Sequence, residues 1–226
     1  MAPSSAAQWF GAAATFLAVI VALFKDSIRE WRRKPKLIVT CENSPPCTVR
    51  TPLFVNDLRT GNLLWTGDSY WVRVKVENKG RTRAEKIQVS LSNLYYRPSV
   101  DGEFSEDARH HFPLNLKWAH IGLPILDGIS PDMVALCDVI ALSDPANPHR
   151  PQLANIPSNA TVGRLQLEVD LPPEFDSLRP GSWKLTLRIG AANAKPIEKT
   201  LLFSHTGEWR QNDVDMRREC LRVSLT

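Results

Sequence analysis

YWVRVKVENKGRTRAEKIQVSL, Tyr70 to Leu91, is the stretch that decides the fold. Val72, Val74 and Val76 alternate with Arg73, Lys75 and Glu77, the two-residue period of a strand with one dry face and one wet face. Ile87, Val89 and Leu91 repeat the pattern. Between the two runs lies Asn78-Lys79-Gly80, read as a turn whose Asn and Gly tolerate left-handed backbone angles. A pair of half-buried antiparallel strands needs a second apolar layer to cover it, so the chain around this stretch is expected to supply one.

Upstream, LIVTC (Leu37 to Cys41) reads as a first strand, broken by Pro45-Pro46. Downstream, further runs cover Leu114 to Ile121, Met133 to Leu142, Val162 to Leu171, Ser182 to Ile189, Ile197 to Phe203 and Cys220 to Leu225, about nine strands in all. Turn chemistry separates several of them, at Asp127-Gly128, Pro172-Pro173 and Pro180-Gly181. Asn212 to Arg218 suits a short helical turn, and Ser99 to Arg109, rich in Ser, Asp and Glu, an exposed loop. The expected class is all-β: two antiparallel sheets packed face to face over residues 36–226, as one sandwich or as two small domains divided near Pro145 to Pro157.

Residues 1–35 are different. Ala6 to Phe24 carries no charge, and at about 1.5 Å per residue its nineteen positions make a helix of roughly 28 Å, close to the hydrocarbon thickness of a bilayer. Its eight Leu, Ile, Val and Phe residues favour insertion by roughly 2 to 5 kcal/mol, with Gln8 and Gly11 opposing. A cleaved signal peptide would carry its positive charge before the apolar run, and here the charge follows it. We therefore expect a single transmembrane helix. Trp9 and Trp31 suit the two interfaces, and Lys25, Arg29, Arg32, Arg33, Lys34 and Lys36 form a cationic collar able to meet lipid phosphates. Phe24, Ile28 and Trp31 continue one helical face, and Pro35 ends the element.

The collar sets an orientation. Lys and Arg are retained on the cytoplasmic side, so the N-terminus is expected outside and the large domain inside the cell (inner) membrane. Ala7, Gly11 and Thr15 on one face of the span, and Ala14, Ala18 and Ala22 on another, repeat small residues at fours, the spacing that lets helices self-associate in lipid.

Charge excludes one class of partner. Of 28 Lys/Arg and 24 Asp/Glu, six and two fall in residues 25–36, leaving 22 of each sign in 37–226, so the net +4 sits at the collar. A nucleic-acid binder carries its basic excess on the folded domain, so no nucleic-acid partner is expected.

The string Val74 to Leu91, V-x-V-x-N-x-G-x-x-x-A-x-x-I-x-V-x-L with Asn78, Gly80 and Ala84 in the turn region, resembles the strand pair of bacterial immunoglobulin-like domains of the cell-adhesion-related type. PGSWKLTLRIGAANAKPIEKTLLF, Pro180 to Phe203, followed by Gly207-Glu208-Trp209, resembles the closing strands of uncharacterised membrane-anchored prokaryotic proteins. Together these cover about a quarter of the extramembrane part, and they imply an immunoglobulin-like sandwich rather than an activity. Domains of that type are usually outside the cell, whereas the collar argues for inside.

The remaining constellations weigh towards a binding protein. Cys41, Cys47, Cys137 and Cys220 hold no C-x-x-C pair and are expected as free thiols in a cytosolic domain. Asn159-Ala160-Thr161 is read as a chance sequon. His110-His111 would share one metal only in a loop and with a third ligand, so no metal and no cofactor are expected. The phosphate-binding loop, the nucleophile elbow and the H-E-x-x-H helix are missing, and an enzyme is not expected. Most of the seven tryptophans suit a core, while Trp65, in a loop of Thr, Gly and Asp, is the candidate partner contact. The expected function is a membrane-anchored binding or sensor module that recruits a protein or ligand at the cytoplasmic face. The alternatives are a membrane effector whose span oligomerises to perturb the bilayer, and an extracellular adhesion or envelope protein.

Overall fold

In the computed structural model of the chain, residues 5–57, 59–99, 101–109, 112–150, 153–154 and 156–226 are described, with the side chains of residues 5–8, 23 and 26–33 outside that set. Helix α1, Ser5–Arg33, runs through the apolar stretch and the collar without a break. It has no Pro or charge before Lys25 to interrupt it, and it stops at the residue before the Lys34-Pro35 pair, where proline disfavours helix. Its described side chains from Trp9 to Ala22 are nearly all exposed. Among the described residues, which omit the side chains of Leu23 and of 26–33, no helix is long and apolar enough to cross a membrane, so the span expected over Ala6 to Phe24 stands as a helix and not as a crossing.

Among the described residues, thirteen strands follow. The first sheet contains β1 (Leu37–Thr40), β2 (Thr48–Asn56), β3 (Leu63–Asn78), β8 (Val134–Ser143), β9 (Gly163–Leu165) and β10 (Ser177–Leu178), in the order β1-β3-β8-β9-β10, with β2 beside β3. β1 takes the end of β3, from Lys75 to Asn78, and β2 takes its beginning, from Leu63 to Val72. The second sheet contains β4 (Ala84–Arg97), β5 (Ser105–Glu106), β6 (Leu114–Asn115), β7 (Ile125–Ile129), β11 (Gly181–Ala191), β12 (Ala194–His205) and β13 (Leu221–Leu225). Its order is β13-β12-β11-β4-β5, with β6 and β7 also on β4. Every pairing is antiparallel. Two antiparallel sheets are the expected architecture, but Val72–Val76 and Ile87–Leu91 do not form the expected strand pair. β3 lies in the first sheet and β4 in the second, so the Asn78-Lys79-Gly80 segment carries the chain from one layer to the other.

The strand details differ from the expectation in instructive places. β2 and the first half of β3 form a long hairpin where a loop is expected, because the stretch has no clean alternation and contains Pro52, tolerated here on a strand with one open edge. Asp127-Gly128 is not a turn but lies within β7, where a Cβ on Gly128 would come 2.6 Å from the Ala84 carbonyl, so glycine permits close approach to β4. Gly80 does not adopt a left-handed angle either. A Cβ there would meet Pro35 Cα at 2.5 Å and Lys34 O at 2.7 Å, so the residue makes room for the chain arriving from α1. Leu114 to Ile121 contributes only the short β6 and two bridges before it crosses between the sheets, and Val162 to Leu171 contributes only β9 and one bridge. Helix α2 (Pro173–Asp176) starts at the second proline of Pro172-Pro173, and α3 (Asp213–Asp215) with a π-helical turn, Met216–Cys220, occupies the expected helical turn. The Ser99 to Arg109 loop is pinned by β5 to Tyr95 and Tyr96.

A single buried cluster joins the sheets, from Leu37 and Val39 on β1 to Leu221 and Val223 on β13. Trp118 and Trp183 are its largest members, and each has its indole N–H satisfied, by Ile87 O at 3.2 Å and Arg179 O at 2.9 Å. The segment carrying Trp118 crosses between the layers: Leu116 N donates to Val89 O in the second sheet, and Ala119 N to Leu136 O in the first. Asn78, fully buried at the end of β3, closes one end of the sandwich. Its amide donates to Thr82 O (2.7 Å) and Ile129 O (2.9 Å), and its oxygen accepts from Gly80 N (2.9 Å) and Lys36 N (3.2 Å).

Candidate functional site

The strands give the sandwich two ends with different chemistry. At the first, the chain leaving α1 is fastened to the rim: Lys79 N donates to Lys36 O at 2.8 Å, beside the Asn78 bonds. Of the residues expected at the membrane interface, Trp9 and Lys25 lie exposed on α1, and Lys34 and Lys36 lie exposed on the linker. The side chains of Arg29, Trp31, Arg32 and Arg33 fall outside the described residues. Phe10 is 77% exposed, Leu17 60% and Val21 61%, so the apolar surface of α1 is not spent on the core. Gly11, Ala14, Ala18 and Ala22 are exposed too, and a Cβ on Gly11 would meet nothing within 4 Å. Thr15 satisfies its hydroxyl locally, donating to Gly11 O at 2.9 Å.

At the opposite end, the β2–β3 hairpin runs past the sheet as a two-stranded arm, because β8 pairs with β3 only from Ser69 onward. Trp65 lies on this arm and is half-buried, its ring lying over Gly67 two residues along the same face. The more exposed apolar groups are ones that the sequence reading missed: Phe54 at 63%, with Leu63 and Leu64. The signal was present. Asp57 and Gly61 sit between the apolar runs LFV and LLW, and the Asp57 carboxylate accepts from Arg59 N (2.7 Å) and Thr60 N (2.9 Å), which holds its pKa below the usual range. Arg50 braces the arm's base, bonding Asp68 through Nε at 2.9 Å, reaching Gln211 Oε1 at 2.8 Å and lying over the Trp209 ring.

The same end carries an open groove of about 510 Å³ over the second sheet. Strand register builds it: Arg97 on β4 faces Ser182 on β11, Ser182 faces Ser204 on β12, and Ser204 faces Arg222 on β13. Two arginines therefore flank two short hydroxyl side chains across four strands, leaving a trough between them. Gly181 forms part of the floor, at φ +136°, where a Cβ would come 2.8 Å from Tyr96 Cε2 and 2.9 Å from Arg97 O.

Buried ionisable groups lie beside these features. His205 is buried, with Nε2 3.2 Å from Leu178 O, and burial pushes its pKa down to about 4. Between about pH 6.5 and 4 the unfolded chain takes up this proton and the folded chain does not, so the His205 contribution is complete above 6.5 and lost as pH falls. Asp138 and Asp176, whose pKa values burial raises against the pull of Arg73 and Arg164, act in the opposite sense. The stability advantage of wild type over His205→Gln in urea titrations is accordingly expected to shrink by about 3 kcal/mol between pH 7 and pH 4.

Cys41 and Cys47, with the other two cysteines, are free and buried. The Cys41 thiol hydrogen-bonds the Cys47 sulfur, and that bond, with the Glu42 backbone N–H and the Lys75 charge, brings the Cys47 pKa down to about 6 against the cost of burial. The same bond and burial push Cys41 up, while burial alone is the main cause for Cys137. Iodoacetamide at pH 7 is expected to label Cys47 first by peptide mapping, with Cys137 reacting only on unfolding.

His110-His111 lies outside the described residues. Among those described, His120 and His149 are exposed, and no three His, Cys, Asp or Glu side chains are grouped to hold a metal ion. No family model, curated protein or solved structure matches the chain.

Proposed function

We propose that the chain is a single-span membrane protein of the inner membrane, in which α1 anchors an immunoglobulin-like sandwich at the cytoplasmic face as a binding or sensor module. The observation that carries this reading is α1 itself: a 29-residue helix with nearly all of its described apolar side chains exposed, ending in a run of Lys and Arg. Water does not stabilise such a surface, and lipid does. The arrangement of the sandwich supports the binding part. The linker is bonded to one end, and the arm of Phe54, Leu63, Leu64 and Trp65 stands at the other, where a protein partner has access.

Orientation is tested with a thiol introduced at exposed Glu198 in a Cys47→Ser background, since the other three native cysteines are buried. A membrane-impermeant maleimide is expected to label Glu198→Cys only after permeabilisation. Ready labelling of intact cells would reverse the topology and favour the envelope reading. The open backbone at Gly11 favours a second reading, in which spans associate and act on the bilayer. Under that reading Gly11→Leu abolishes activity with insertion intact; under the anchoring reading it leaves activity unchanged.

A further inference from the structure

We propose that the groove between Arg97 and Arg222 is a binding site for a small soluble molecule bearing a phosphomonoester. This names a ligand class for the binding module proposed above, and its geometry stands whether or not α1 enters a membrane.

The register places the two arginines three strand spacings apart, about 14 Å between Cα atoms, and each long side chain covers nearly half of that width. Both line the groove, and with the Arg97 guanidinium turned from Phe104 into the trough the two forks have the reach to close on one anion. Neither has a carboxylate partner among the described residues. Arg97 stacks on Phe104 at 4.6 Å, beside β5, and its buried Nε has no hydrogen-bond partner, so the stack leaves this donor unsatisfied and the guanidinium has to turn from Phe104 toward the trough to meet an anion. Ser99, Ser182, Ser204 and Thr206 add hydroxyl donors along the lining. The one carboxylate there, Glu219, is engaged by Arg218 at 2.6 Å and Arg210 at 3.8 Å, so its charge is answered outside the trough. Two guanidinium forks with several hydroxyls exceed what a single carboxylate can accept and suit the three oxygens of a phosphate. Gly181 keeps the floor low, because any side chain there collides with Tyr96.

Position separates a soluble ligand from a lipid headgroup. The groove lies at the Arg97 end of β4, and the linker from α1 is fastened near its Ala84 end. Thirteen strand steps put the two about 40 Å apart, so with β4 standing upright on the linker the groove is held away from the headgroups of the anchoring membrane.

The test is calorimetric titration of the full chain in phosphatidylcholine nanodiscs with ribose 5-phosphate, inorganic phosphate, succinate and ribose. Saturable binding of the two phosphates below about 1 mM is expected, with succinate at least about tenfold weaker and ribose silent. Arg222→Met, on an exposed edge position that folding does not need, is expected to weaken binding at least about tenfold, and Arg97→Lys to keep part of the affinity. Absence of saturable phosphate binding, or equal binding by Arg222→Met, would overturn the site. Replacing part of the phosphatidylcholine with phosphatidate should leave ribose 5-phosphate binding unchanged; competition would overturn the soluble source. Co-elution with the disc is scored separately, so a chain that binds phosphate without inserting contradicts the anchor and leaves the groove standing.

Discussion

Asn78→Leu is expected to cost about 4 kcal/mol of folding stability, read as a fall in the urea midpoint with the slope unchanged. The Asn78 side chain is fully buried and satisfies four backbone groups belonging to the linker, the turn and the end of β7. An apolar replacement of similar size fills the space and leaves Gly80 N, Thr82 O, Ile129 O and Lys36 N without that partner. Each such loss in a buried setting costs about 1–3 kcal/mol, less where water can enter, as it can beside Lys36. Asn78→Asp keeps the acceptor and loses both donated bonds, placing a carboxylate against two carbonyls. It should recover little. A cost below 1 kcal/mol for Asn78→Leu would mean that this end of the sandwich is held by packing alone.

Trp118→Ala is expected to cost about 4–5 kcal/mol, at the upper end of large-to-small core substitutions. The indole is 1% exposed and lies on the segment that crosses from one sheet to the other. Truncation leaves a cavity between the layers and strips Ile87 O of its 3.2 Å partner. Trp118→Phe refills most of the volume without the N–H, so it should cost roughly half as much, and the difference between the two isolates the cavity. Equal costs for both would assign the effect to the hydrogen bond.

These two residues also show what was legible in the chain and what was not. Alternation at Val72–Val76 and Ile87–Leu91 reports two half-buried strands locally, but not their partners: the expected pair is not formed, and the two runs lie in opposite sheets, β3 with β8 and β4 with β11. Asn78 and Gly80 were visible as punctuation, but a turn and a hydrogen-bonded plug use the same residue types. What separates them is the linker packed on Gly80, a contact made 42 positions apart between Lys36 and Asn78. The arm was missed because its strands pair only with one another, so neither needs a fully apolar face. The groove could not be read at all. Arg97, Ser182, Ser204 and Arg222 are unremarkable singly, and only the register of four strands sets them in one row. Charge division was the opposite case, since the balance of 22 and 22 beyond the collar needs no coordinates.

The anchor is tested most directly by alkaline carbonate extraction of membranes from cells making the full chain. Carbonate strips proteins held by charge, including anything held by the collar alone, and leaves a helix buried in hydrocarbon. The chain is expected in the membrane pellet, with Leu17→Arg and Val21→Arg together moving it to the supernatant. Release of the unaltered chain by carbonate, or its purification as a monodisperse species without detergent, would contradict the anchor.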